Sequence, residues 1–326
     1  MKTLSFLQHS SMAMMASWSL LVPSAPRANT APVHTAPAVP AIAAPLHVVA
    51  TTPDLASIAM EIGGAAVEVK ALAKATEDAH FVDAKPSHIV TLNRADVLIE
   101  GGAELEIGWL PPLLESARNE KIATGAPGRI LASQGIRMLE VPTSFDRSKG
   151  DVHAMGNPHF LIDPLNVKII AANIAEHFAK VAPASAELFK ANLQKFNATL
   201  DQRMAAWQKQ MAPFKGAKIV TFHRDFVYLS ERFNLVTVET LEAKPGIAPS
   251  PAHLAQVIGT MKSTGARVIL VQPFQNRKTA ETVARQTDAA VLDMAQQPGA
   301  IKGTDTYFQL MDYIVNTLAT ALQGKK

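Results

Sequence analysis

From Ala184 to Met211 the chain contains neither glycine nor proline, and Leu188, Leu193, Phe196, Leu200, Met204 and Trp207 recur along it at mostly three- and four-residue steps. That spacing puts them on one face of a continuous α-helix, roughly 40 Å long at 1.5 Å per residue. A rod of this length is too long for the interior of one small domain. It is suited to bracing two units, and the segments on either side of it follow the same plan.

Before the rod, short β-branched runs alternate with helical patterns. His47–Thr52, Val67–Ala73, Asp96–Glu100 and Arg137–Val141 read as strands, with helices opening at Pro53, Pro86 and Trp109. After it, Lys218–Phe222, Val236–Leu241, Arg267–Val271 and Ala289–Leu292 read as strands, with helices from about Pro251 and Lys278 and an amphipathic one from Tyr307 to Leu322. Alternation of this kind implies parallel sheets covered by helices. The expected fold is therefore α/β: an N-terminal lobe over residues 46–164, connecting helices over 165–214 and a C-terminal lobe over 215–326. In each lobe a parallel sheet is flanked by helices, and the cleft between the lobes is the place for a ligand.

The chain has no cysteine, which excludes disulfides, thiolate ligands and a lipidated N-terminal cysteine. A formal charge of +3, with no run of Lys or Arg, gives nucleic acid no basic stripe to bind. Lys2, the apolar run Met12–Val22 and the small residues and prolines after it have the layout of a secretory signal peptide over residues 1–28, with no clean cleavage point. Residues 29–45, rich in Pro and Ala, read as a tether, and export to the periplasm is expected. No later segment reaches membrane-spanning length.

The chemistry gathers where such folds place it, beyond the carboxyl ends of the parallel strands. His80 follows the second strand, His223 follows Lys218–Phe222, and Asp293 closes the last strand. His159 lies in Gly156-Asn-Pro-His-Phe-Leu-Ile-Asp-Pro164, a turn stiffened by two prolines, in which Asp163 is placed to cap the following helix. Three imidazoles and a carboxylate form a nitrogen-rich tetrahedral set suited to Zn2+. His88, His177 and His253 fall in helical patterns and read as packing or surface groups; His153, six residues before His159, is the rival. The fourth position is open among Asp293, Glu242, Asp305 and water.

Several stretches carry a family resemblance: Glu77-Asp-Ala-His80 followed by Pro86-Ser87, Gly156-Asn-Pro-His159 with Asp163-Pro164, Phe222-His-Arg-Asp-Phe226 with Tyr228, Lys244-Pro-Gly-Ile247 with Pro249-Ser250, and Thr306-Tyr307. In this order, from about His47 to Leu322, the sequence resembles the periplasmic metal-binding receptors of zinc and manganese ABC importers. The resemblance implies two α/β lobes joined by a rigid helix, a metal held between them, and a high-affinity receptor, acting as a monomer, that delivers its ion to an inner-membrane permease. It matches His80, His159 and His223 to the three histidine ligand positions and puts Asp293 near the carboxylate position. Manganese receptors of this kind tend to carry Glu where this chain has His223, so Zn2+ is expected and Mn2+ is the alternative. Gln272 stands where the family usually has Glu. Two other functions compete: an adhesin of the same fold, and a zinc hydrolase, for which there is no His-Glu-x-x-His and no general base beside the ligands in sequence. The chain is not expected to be an enzyme.

Overall fold

The computed structural model describes residues 44–143, 153–244 and 246–324. The reading of residues 1–28 as a signal peptide lies outside the described residues, as does the 29–45 tether up to residue 43. The first sheet contains β1 (Leu46–Ala50), β2 (Val67–Ala71), β3 (Val97–Glu100) and β4 (Arg129–Leu131), all parallel, in the order β2-β1-β3-β4. The second contains β5 (Lys218–Thr221), β6 (Val236–Thr240), β7 (Val268–Val271) and β8 (Ala290–Asp293), parallel again, in the order β6-β5-β7-β8. Each sheet starts on an inner strand, runs to one edge and returns past its own beginning. Its switch point therefore lies at the carboxyl ends of its two central strands, where ligands collect.

Helices cover both faces of each sheet. In the first lobe α1 (Pro53–Gly63) lies on one side, while α2 (Pro86–Asn93) and α3 (Leu110–Ala117) close a separate core on the other. In the second lobe α7 (Pro251–Thr264) and α8 (Arg277–Thr287) do the same, and the short α6 (Val227–Arg232) follows β5. Between the lobes run α4 (Pro164–Val181) and the 26-residue α5 (Ala186–Met211), with α9 (Tyr307–Leu322) against α5. One apolar core runs through the inner faces of both lobes and these three helices.

The buried stripe of α5 is Phe189, Phe196, Leu200, Met204, Trp207 and Met211, whereas Leu188, expected on that face, is exposed. Burying a side chain of that size is worth roughly 1.5–3 kcal/mol, and the stripe meets α9 through Phe196 and Phe308, whose rings lie 5.1 Å apart. The start of α9 is fixed by a capping box in which Thr306 and Gln309 each bond the other's backbone.

One expected strand is absent. Residues Arg137–Val141 form no strand; the fourth place in the first sheet belongs to β4, only three residues long. Their polar groups and backbone serve a crossing to the second lobe instead. Leu139 N donates to Tyr228 Oη at 2.9 Å, Arg137 pairs with Glu231, and Glu140 pairs with Arg224. The Tyr228 hydroxyl in turn donates to the Asn157 carbonyl at 2.8 Å. The same seam holds Asp163 against Arg232, with two bonds of 2.7 Å.

The first lobe buries a carboxyl. Glu106 accepts from Thr51 Oγ1 at 2.6 Å and from the Gly101 and Gly102 amides at 2.7 and 3.1 Å. Burial nevertheless pushes it from 4.5 up to about 7, and the nearby Glu100 charge adds to the rise. An acid raised in the folded state keeps its proton while the unfolded chain releases one, so its contribution to stability is whole below pH 4.5 and is lost as the pH climbs to about 7. At ~1.4 kcal/mol per pH unit the ceiling is about 3 kcal/mol. Glu106→Gln is expected to remove this decline. Urea melts of both proteins at pH 5 and pH 8 check it: the variant should gain on the parent at pH 8, and an equal gap at both values would count against it.

Candidate metal centre

The structure brings His80, His159 and His223 together, and His153 with them. His80 sits in the loop between β2 and α2, which Trp109 anchors by donating from Nε1 to the Ala79 carbonyl at 2.9 Å. Asp78 Oδ1 accepts from both the His80 backbone amide, at 3.0 Å, and His80 Nδ1, at 2.8 Å. The ring's direction is therefore set from behind by a carboxylate two residues away.

His159 is held by its turn. Gly156 has φ +103°, and a Cβ there would lie 2.8 Å from the Leu139 carbonyl oxygen, so only glycine fits. Asn157 Oδ1 accepts from the His159 amide at 2.9 Å, while Asn157 Nδ2 donates to the Arg224 carbonyl at 2.7 Å and to Glu140 at 3.0 Å. The turn is thus tied to the other lobe one residue from His223. His159 Nδ1 meets Gln296 Oε1 at 3.0 Å, and its Nε2 is buried without a partner. His223, at the end of β5, turns Nδ1 to Glu242 Oε2 at 2.9 Å.

The ring centroids of His80 stand 5.0, 5.1 and 6.0 Å from those of His153, His159 and His223, and His159 lies 5.4 Å from His223. His80, His159, His223 and Glu242 line a cleft of ≈ 540 Å³ between the lobes. Among the described residues no three such groups already enclose a common coordination point. The nitrogens face one another instead, and His80 Nε2 lies 3.0 Å from His153 Nε2.

Burial, and then the neighbouring imidazoles, hold His159 well below its usual 6.5 and bring His153 down to about 4. Both are neutral near pH 7, the form that can donate an electron pair. For His223 burial pulls the same way, but the bond to Glu242 and the charges of Asp225, Glu242 and Asp78 outweigh it, and the net direction is up.

Asp293 is not brought to the histidines. It pairs in register with Val271, and the Met294 amide continues the ladder to the Val271 carbonyl at 2.8 Å. Strand alternation then sends Met294 into the core and Asp293 outward, where it pairs with Arg277. Asp305, another sequence candidate, is exposed, and Glu242 faces the Nδ1 side of His223. Gln296, which the sequence reading did not single out, instead reaches His159, with its amide on the Asp225 carbonyl. Asp225 is fully buried and pushed up to about 6 by that burial; its Oδ2 accepts from Gln272 and Gln275 at 2.6 and 3.0 Å. A buried acid thus lies beside Gln272, where the resemblance led one to look for Glu. The Asp in Phe-His-Arg-Asp-Phe was visible in the sequence, but its burial was not.

Comparison with known proteins places these features. Residues 48–321 match the family model ZnuA, zinc-uptake complex component A periplasmic. A high-affinity zinc uptake system protein ZnuA from Brucella abortus (strain 2308) is 27% identical over 165 residues, covering 50% of this chain and 49% of that protein. The match thus spans about half the length of that relative. A manganese ABC transporter substrate-binding lipoprotein PsaA from Streptococcus anginosus is 23% identical over 287 residues, 85% of this chain and 89% of that one. A crystal structure of ZnuA superposes with TM-score 0.71 at 24% identity over 84% of this chain and 98% of that chain. An Mn-bound periplasmic metal binding protein from candidatus liberibacter asiaticus gives 0.70 at 20%, with the same two coverages. At these identities the solved structures speak to the fold, two parallel four-stranded sheets flanked by helices and a long helix.

Proposed function

Because the chain belongs to the ZnuA family, whose model matches residues 48–321, we propose that it is a periplasmic receptor that binds Zn2+ and passes it to the permease of an ABC importer. His80, His159 and His223 are the proposed ligands. The observation that carries the reading is the unpaired, fully buried Nε2 of His159 amid other imidazoles. Leaving a buried polar atom unbonded costs ~1–3 kcal/mol, a penalty that coordination of a metal removes. The rings of His80, His159 and His223 are also each oriented through Nδ1, so that Nε2 is the nitrogen each would turn to the cargo.

Zinc rather than manganese is proposed from donor chemistry, since imidazole suits Zn2+ and oxygen donors suit Mn2+. A hydrolase would need a general base free to act on a metal-bound water. The acids nearest the rings, Asp78 and Glu242, are occupied in orienting His80 and His223, so a receptor is favoured over an enzyme.

His223→Glu is the test. It is expected to lower zinc affinity by roughly tenfold or more and to raise the manganese-to-zinc affinity ratio, while Zn2+ still binds the tighter in absolute terms. Glu242 would then face a second carboxylate, so the matched comparison adds Glu242→Gln. Competition titrations with both ions in one buffer, on variants shown by circular dichroism to be folded, read the ratio. A ratio unchanged within error would place His223 outside the site.

A further inference from the structure

We infer that His153 is the fourth metal donor, completing an all-imidazole set with His80, His159 and His223 that selects an ion accepting four nitrogens and discriminates against oxygen-preferring Mn2+. The inference rests on the reading that this cluster holds the cargo.

Spacing is the first argument. Nitrogens bound to Zn2+ at about 2.0–2.1 Å in a tetrahedron lie roughly 3.3 Å from one another. His153 Nε2 is 3.0 Å from His80 Nε2, so the two rings already stand within a few tenths of an ångström of a shared coordination edge. His80 Nδ1 faces a carboxylate and is the nitrogen that carries the hydrogen, which leaves its Nε2 as the lone pair and makes His153 the donor across that contact. A proton thus occupies the edge that an ion would bridge.

Anchoring is the second argument. The amide after His153, that of Ala154, donates to Glu104 Oε2 at 2.6 Å, and the Gly156 amide closes a turn onto the His153 carbonyl at 3.1 Å. His153 and His159 are therefore held on one short stretch fixed at both ends.

Three of the carboxylates that could compete with His153 are engaged elsewhere. Asp78 and Glu242 sit behind His80 and His223, and Asp293 is at the surface on Arg277. Asp225 has one oxygen bonded to Gln272 and Gln275 and the other buried without a partner, which makes it the acid to test against.

The test uses the full chain loaded with Zn2+, and separately Mn2+, as parent, His153→Ala, Asp225→Asn and His159→Ala proteins. X-ray absorption of the zinc-loaded parent is expected to show four imidazole nitrogens, and His153→Ala three with an oxygen in the fourth place. The same variant is expected to lose about 100-fold in zinc affinity with manganese affinity little changed, so the ratio shifts by a similar factor. Three imidazoles in the parent, or zinc affinity in His153→Ala equal to the parent's, would overturn the inference. So would a loss in Asp225→Asn that His153→Ala does not share, which would make the fourth donor a carboxylate. Failure of the underlying reading looks different: in that case His159→Ala also leaves zinc binding intact.

Discussion

His159→Ala is expected to lower zinc affinity by on the order of 10²- to 10³-fold. Structural zinc sites have apparent binding free energies of ~10–16 kcal/mol, which spread over four donors is roughly 2.5–4 kcal/mol each, with ~1.4 kcal/mol per factor of ten. His159 should sit at the upper end because its turn is pinned on both sides, by Gly156 against Leu139 and by Asn157 against Arg224, leaving little ordering for the ion to impose. Stability without metal should move little. The variant loses packing at a buried site but also sheds an unpaired Nε2, and the two effects oppose each other at a similar size, ~1–3 kcal/mol. Titration calorimetry with a competing chelator reads the first quantity and thermal unfolding the second. A large fall in stability with affinity preserved would make His159 a core residue and sink the site.

Asp163→Ala is expected to destabilise the fold by about 3–5 kcal/mol, the range for removing one partner of a buried ion pair. Asp163 is buried, receives Arg232 through two bonds of 2.7 Å, and accepts from the Leu165 amide at 2.9 Å as the cap of α4. Its removal leaves the guanidinium of Arg232 facing a buried seam and takes away a cap worth ~1 kcal/mol. Asp163→Asn should recover the cap alone, since Asn caps as well as Asp. Adding Arg232→Met to that variant should recover more, because no charge is then left unpaired. Urea unfolding of the set, with unchanged denaturant dependence, is the check; a loss below about 1 kcal/mol for Asp163→Ala would mean the pair is solvated like a surface one. The pair joins the residue just before α4, four positions after His159, to the end of α6, which begins shortly after His223. It therefore holds the two halves of the histidine cluster in register.

Local rules sufficed for much of this protein. The long helix was legible because a run without Gly or Pro and with helical apolar spacing has few other solutions, although which residue opens its buried stripe, Phe189 and not Leu188, depended on what packs against it. The two parallel sheets followed from alternating strands and helices. Three of the gathered histidines followed from topology, since parallel sheets put their ligands at the carboxyl ends of strands, and from a turn whose prolines restrict its backbone locally. Tertiary structure alone decided the rest. Asp293 and Gln296 lie three residues apart at the end of one strand, and which of them faces the cleft depends on strand parity and on where the ladder with β7 stops. A one-residue difference in register reverses the direction of a side chain, and nothing in the local sequence reports it. Arg137–Val141 reads as a strand and yet crosses to Tyr228, because the edge of the first sheet was already taken by β4. His153 owes its place to its contact with His80, 73 residues away, and to the bond from the next residue, Ala154, to Glu104, 50 residues away, and pairings of such separation exist only once the chain has folded.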